Sequence, residues 1–196
     1  MLHDIPSAML SRMQYLEAVD AADRNDGTPQ SKRLRQIPRD TGSLLTILAA
    51  SAPEGHVVEI GTSAGYSTLW IWMGCRARAL TLTTFENNPE KARLARETFE
   101  LCGLGTAIRL VEDDARRQLE GFSGISFCFL DAEKDMYADC FEAIVPRLVP
   151  GGLVVADNVI SHQEVLGTIV NRYLQDVRVD AAVVPIGKGL LLCRRP

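Results

Sequence analysis

The sequence predicts an α/β protein built on one seven-stranded, mostly parallel sheet, with helices on both faces and one antiparallel strand near the edge. Three observations carry this prediction. From His56 onward, apolar runs rich in β-branched residues alternate with longer amphipathic segments, the pattern of repeated strand–helix units. The last two apolar runs lie close together, as an antiparallel, hairpin-like edge requires. The 196 residues suffice for one domain with a substantial core.

Taken in order, Ser7–Arg24 carries Met9, Leu10, Met13, Leu16 and Val19 at helical spacing, and Asn25-Asp26-Gly27 ends that helix. Thr41–Ala50 reads as a second helix with Asp40 or Thr41 as its cap. These helices form an N-terminal part, residues 1–50, ahead of a core spanning 56–196. The predicted strands are His56–Ile60, Ala79–Phe85, Ala107–Val111, Ile125–Leu130, Leu153–Ala156, Val177–Val184 and Leu190–Cys193. The helices between them are Gly65–Cys75, Pro89–Cys102, Ala115–Glu120, Met136–Arg147 and Gln163–Gln175. Pro150-Gly151-Gly152 is read as the turn feeding the fifth strand. Trp70, Trp72, Phe85, Phe127 and Phe129 are read as core or interface.

Composition narrows the function classes. The net charge of -4 and the absence of a long basic run speak against an electrostatic grip on nucleic acid. Lys32, Arg33, Arg35 and Arg39 form a local basic cluster, read as a solvated face. The five cysteines include no C-x-x-C pair and mostly sit in apolar runs. That argues against a zinc site or a disulfide framework and fits a reducing, cytoplasmic setting. MLHDIPSAML lacks a basic start followed by an apolar stretch, so no signal peptide is expected. No apolar run is long enough to span a bilayer.

In a parallel sheet of this kind, ligands bind beyond the carboxyl ends of the strands. Here five predicted strand ends carry acids: Glu59, Glu86, the Glu112-Asp113-Asp114 run, Asp131 and Asp157. Within Val57–Trp70, Gly61, Ser63 and Gly65 alternate after Glu59. Neither G-x-x-x-x-G-K-[ST] nor G-x-G-x-x-G is present, and a carboxylate two residues before the first glycine would repel a pyrophosphate. Glu59 suits a cofactor bearing a cationic amine, and Glu86 is placed to accept ribose hydroxyls. A ribose without pyrophosphate, joined to an amino acid, describes S-adenosylmethionine. Asp131, Asp157 and Asn158 add hard oxygen donors from two neighbouring strand ends, which suit Mg²⁺, Ca²⁺ or Mn²⁺.

The motifs EIGTSAGYST (59–68), FENNPEKARLA (85–95), DDA (113–115), FLDAEKDMY (129–137) and GGLVVADNV (151–159) carry a resemblance. The chain resembles the class I S-adenosylmethionine-dependent methyltransferases of Rossmann-like fold. More narrowly, it is similar to the cation-dependent O-methyltransferases of catechol and caffeoyl-CoA type. The resemblance implies that Glu59, Gly61, Ser63, Tyr66 and Ser67 surround the methionine part of the cofactor, with Asp131 also at the cofactor. It further implies that Glu86 holds the ribose, that Asp114 and Ala115 lie against adenine, and that Asp131, Asp157 and Asn158 bind the cation. Lys134 is then the base that takes a proton from the acceptor hydroxyl, and a homodimer is expected. The family usually has glycine at the position of Asp113 and a longer insertion after Val159, where Ile160-Ser161-His162 leads straight into a helix.

The expected acceptor is a small catechol-like molecule, with His162 either lining its pocket or sitting on the surface. An alternative is a hydroxylated tRNA nucleoside, served by the basic cluster. A nicotinamide-dependent reductase is disfavoured by the missing glycine pattern, and a non-catalytic cofactor-binding protein by the intact Lys134 and carboxylate set.

Overall fold

The computed structural model describes residues 2–78 and 80–196. Two helices, α1 (Ser7–Asp23) and α2 (Arg39–Ser51), precede the alternating part. There follow β1 (His56–Ile60), α3 (Tyr66–Cys75), β2 (Leu82–Phe85), α4 (Pro89–Leu101), β3 (Ile108–Val111) and α5 (Ala115–Gln118). The chain continues through β4 (Ile125–Leu130), α6 (Tyr137–Ile144), β5 (Leu148–Ala156), α7 (Gln163–Leu174), β6 (Asp180–Val184) and β7 (Leu190–Arg194).

The strands form one seven-stranded sheet in the order β3-β2-β1-β4-β5-β7-β6. All pairs are parallel except those of β7, which runs antiparallel to both β5 and β6. The fold class read from the sequence is therefore the one observed. Helices cover both faces, so the central strands are apolar on both sides. Along β4, Phe127 and Phe129 join a core with Met13, Leu45, Trp70 and Phe99, whereas Cys128 and Leu130 join a core with Phe141, Ile144, Leu166 and Tyr173. Successive side chains on a strand point to opposite faces, and each finds a separate apolar layer.

Element ends moved for local reasons. Val177–Arg178 belongs to a turn, because Asp176 accepts the Arg178 N–H at 2.9 Å, and β6 starts only at Asp180. The helix predicted over 136–147 is α6 with a 3₁₀ turn on each side, the second containing Pro146, which has no N–H to give. Pro150-Gly151-Gly152 lies inside β5, next to a register irregularity against β4. At the start of the predicted second strand, Ala79 lies outside the described residues.

Crossovers leave β1 and β4 in opposite directions, so these neighbours mark the switch point where the sheet opens a crevice. Gly61, Glu86, Asp114, Asp131 and Asn158, which follow β1, β2, β3, β4 and β5, line it.

Candidate active site

The turn after β1 is shaped by two glycines. Gly61 and Gly65 have φ of 99° and 87°, conformations that cost a side-chain-bearing residue energy. A Cβ on Gly61 would collide with the carbonyl of Asp131, and one on Gly65 with the ring of Phe99. The turn thus packs against β4's end and α4, while Gly61, Ser63 and Ser67 face a cleft of about 410 Å³.

Glu86, at the end of β2, lines this cleft. Its Oε2 accepts the Ser63 N–H at 2.8 Å and its Oε1 the Asn88 N–H at 2.9 Å, which fixes the carboxylate in the wall. Asp114 and Ala115 line the same end; Asp114 accepts the Arg116 N–H and pairs with its guanidinium at 2.6 Å.

Glu59 and Tyr66 stand behind the lining. Glu59 is fully buried and accepts hydroxyls from Ser67 (2.6 Å), Thr68 (2.5 Å) and Thr84 (2.6 Å). Burial pushes its carboxyl up to about 7, against the lowering effect of those hydroxyls. The Tyr66 hydroxyl donates to Glu17 at 2.6 Å and faces a second, adjoining groove.

Across the cleft, Asp131 sits where β4 ends, its N–H bonded to the Ile60 carbonyl at 2.9 Å. Asn158, with φ 68°, donates from its amide nitrogen to Asp131 Oδ1 at 2.7 Å, and among the described residues its amide oxygen has no hydrogen-bond partner. Asp157 is almost sealed from solvent. Its Oδ1 accepts the Asn158 N–H at 2.7 Å, and its Oδ2 has no hydrogen-bond partner among the described residues. Burial raises the Asp157 pKa, and repulsion from Asp131 adds to it, while the Asn158 N–H, Lys188 and Lys134 oppose. A buried carboxylate oxygen without a donor is costly. Among the described residues no three or more His, Cys, Asp or Glu converge, so a cation bound here would need the Asn158 oxygen to complete the set.

Lys134 opens the 3₁₀ turn after β4 and is largely buried. Its Nζ lies 2.9 Å from the Ala132 carbonyl, 3.0 Å from the Tyr137 hydroxyl and 3.5 Å from Asp131 Oδ1. Burial lowers its pKa, with Asp131 and Asp157 pulling the other way. The Tyr137 hydroxyl donates in turn to the Asp157 carbonyl at 2.9 Å, tying the lysine to the β5 end.

The profile of the O-methyltransferase family matches residues 19–196. The chain belongs to that family. The catechol O-methyltransferase of Niastella koreensis is 35% identical over 139 residues, covering 66% of this chain and 61% of that protein's length. Two solved structures share the fold. A Podospora anserina methyltransferase bound to SAH superposes with a TM-score of 0.81 at 23% identity, covering 98% of this chain and 89% of that one. A Bacillus cereus O-methyltransferase in complex with SAH gives 0.76 at 22%, covering 95% and 91%. The enzyme class read from the sequence, an S-adenosylmethionine-dependent O-methyltransferase, agrees with this membership.

In this family member the cleft brings together Gly61, Ser63, Ser67, Glu86, Asp114, Ala115, Asp131, Lys134 and Asn158, and His162 as well. Several participants were not singled out from sequence. Leu34 and Arg35 pass over the β1–α3 turn: Ser63 Oγ donates to the Leu34 carbonyl at 2.9 Å, and Arg35 pairs with Glu133 at 2.5 Å. Arg35 and Arg39, counted in the basic cluster, are thus spent on Glu133 and Glu17. Tyr137 lay within a quoted motif, but its hydrogen bond to Lys134 depends on the 3₁₀ turn between them. Among the described residues no helix is long and apolar enough to cross a membrane.

Proposed function

We propose that this single domain transfers a methyl group from S-adenosylmethionine to one hydroxyl of a catechol-like small molecule, with a divalent cation, Mg²⁺ foremost, held by Asp131, Asp157 and Asn158. The observation that carries this reading is the buried Oδ2 of Asp157 beside Asp131, which with the Asn158 amide oxygen has no hydrogen-bond partner among the described residues, and Lys134 at 3.5 Å from Asp131. Hard oxygen donors with no sulfur or imidazole among them match that class of ion. The catechol O-methyltransferase relative supports the acceptor class.

When bound, the cation would supply Lewis-acid lowering of the acceptor hydroxyl's pKa, and the cofactor its methyl group. The chain's own residues do the rest. Glu86 presents its fixed carboxylate to the ribose hydroxyls. Gly61, Ser63 and Ser67 leave the space for the methionine part over the turn. Asp114 and Ala115 border the adenine end. Lys134, its pKa lowered by burial, takes the hydroxyl proton at Nζ, and the ammonium so formed is held by hydrogen bonds to the Tyr137 hydroxyl and the Ala132 carbonyl. Holding oxygen and methyl carbon at attack distance supplies the remaining acceleration. A cytoplasmic homodimer is part of the same reading.

The test is methyl transfer from labelled S-adenosylmethionine to 3,4-dihydroxybenzoate with Mg²⁺ and then with EDTA. Activity lost on chelation and restored by Mg²⁺ is expected. Activity indifferent to EDTA would remove the cation from the reading.

A further inference from the structure

Lys188 is unlike most cations of the cleft. In the cleft Arg24 is paired with Asp20, Arg35 with Glu133 and Lys134 with Asp131, and Arg33 donates to the Thr28 carbonyl at 2.8 Å; in the adjoining groove Arg39 is paired with Glu17. Lys188 is half-buried, yet among the described residues its ammonium makes no ion pair and no hydrogen bond. Lys91 also makes no ion pair among the described residues, but it is buried, and burial followed by repulsion from Arg35 weakens its hold on a proton, with Glu86, Glu133 and Asp131 opposing.

The backbone at Lys188 is anchored by hydrogen bonds and packing. It sits in the connection between β6 and β7, flanked by Gly187 and Gly189. Gly187 packs on Thr41 and Pro38, and Gly189 on Ile160. The Lys188 carbonyl accepts the N–H groups of Ile160 (3.1 Å) and Ser161 (3.0 Å). Held there, the side chain lines both the main cleft and the adjoining groove, at their shared wall with Gln36 and Ile37. Such a lysine has lost part of its hydration and a share of its rotamer freedom without gaining an acceptor. A ligand anion would restore one.

We propose that Lys188 is the carboxylate-binding residue of the cleft. The proposal rests on the methyl-transfer reading, which offers two sources of a carboxylate: the amino-acid end of the cofactor, and an acidic substituent on the acceptor ring. A charge-assisted hydrogen bond from a part-buried ammonium is worth about 1.5–3 kcal/mol, roughly 10- to 100-fold in binding.

The experiment is calorimetric titration of wild type, Lys188→Gln and Lys188→Arg with two matched pairs. The first pair is S-adenosylmethionine and its decarboxylated analogue. The second, in the presence of S-adenosylhomocysteine and Mg²⁺, is 3,4-dihydroxybenzoate and 3,4-dihydroxybenzamide. Thermal melting checks that each variant is folded. In one pair, Lys188→Gln should weaken the carboxylate member at least about tenfold, spare its neutral partner and be largely rescued by Lys188→Arg. Which pair responds identifies the source. Equal weakening of both members, or no change in either pair, overturns the proposal. Failure of wild type to bind S-adenosylmethionine would instead strike the cofactor reading, and the benzoate pair would still decide the role of Lys188.

Discussion

Lys134 is held by three neighbours that have different consequences. The Ala132 carbonyl and the Tyr137 hydroxyl fix the position of Nζ, Asp131 favours its charge, and burial disfavours it. A base in such balance gives up and regains a proton readily. Lys134→Met should lower kcat by about 10²- to 10⁴-fold. The S-adenosylmethionine dissociation constant should stay nearly constant, because the role proposed for the side chain is at the acceptor hydroxyl and not at the cofactor. A parallel loss of cofactor affinity would point to a structural role. At this scale the sequence was legible where a motif fixed both residue and spacing, as for Asp131 and Lys134. It was not legible for Arg35, Leu34 or Lys188. Their places in the cleft depend on contacts 98, 29 and 28 residues away along the chain, which no local pattern encodes.

At the scale of elements, the β1–α3 turn joins fold and site. Gly65 caps α3 with a left-handed backbone and lies against Phe99. Gly65→Ala combines the penalty of a left-handed residue with a side-chain collision, and should destabilise the protein by about 1–3 kcal/mol. Thermal or urea denaturation measures this; an unchanged midpoint would show that the turn relaxes freely. Strand and helix order was readable from periodicity because both faces of the sheet are covered, which makes the central strands continuous apolar runs. Ends were less readable. Val177 belongs to an apolar run, yet the Asp176–Arg178 turn removes it from β6 and leaves it exposed. The role of Glu59 was read from its place at a strand end, but three hydroxyls from α3 and β2 turn its carboxylate inward. Only the packing of those elements decides which side of the turn it faces.

For the whole molecule, Glu59 makes stability depend on pH. Its carboxyl stands at about 7 in the fold against an ordinary 4.5, so the folded state holds the proton more tightly than the unfolded state. Between those values folding takes up a proton, and stability falls as pH rises. Asp157, raised for related reasons, acts with the same sign. Glu59→Gln removes one of these titrations. Its stability relative to wild type should therefore improve between pH 5 and pH 8 by on the order of 2 kcal/mol, read from urea unfolding at each pH. Parallel curves would mean that Glu59 stays ionised in the fold.

The cation site proposed for Asp131, Asp157 and Asn158 lies at the switch point of the sheet. Titration of Mn²⁺ into wild type and Asp157→Asn, followed by the signal of free Mn²⁺ in electron paramagnetic resonance, decides whether it exists. One saturable equivalent in the wild type, weakened at least about tenfold in the variant, is the predicted result. Identical binding curves for the two proteins would contradict it.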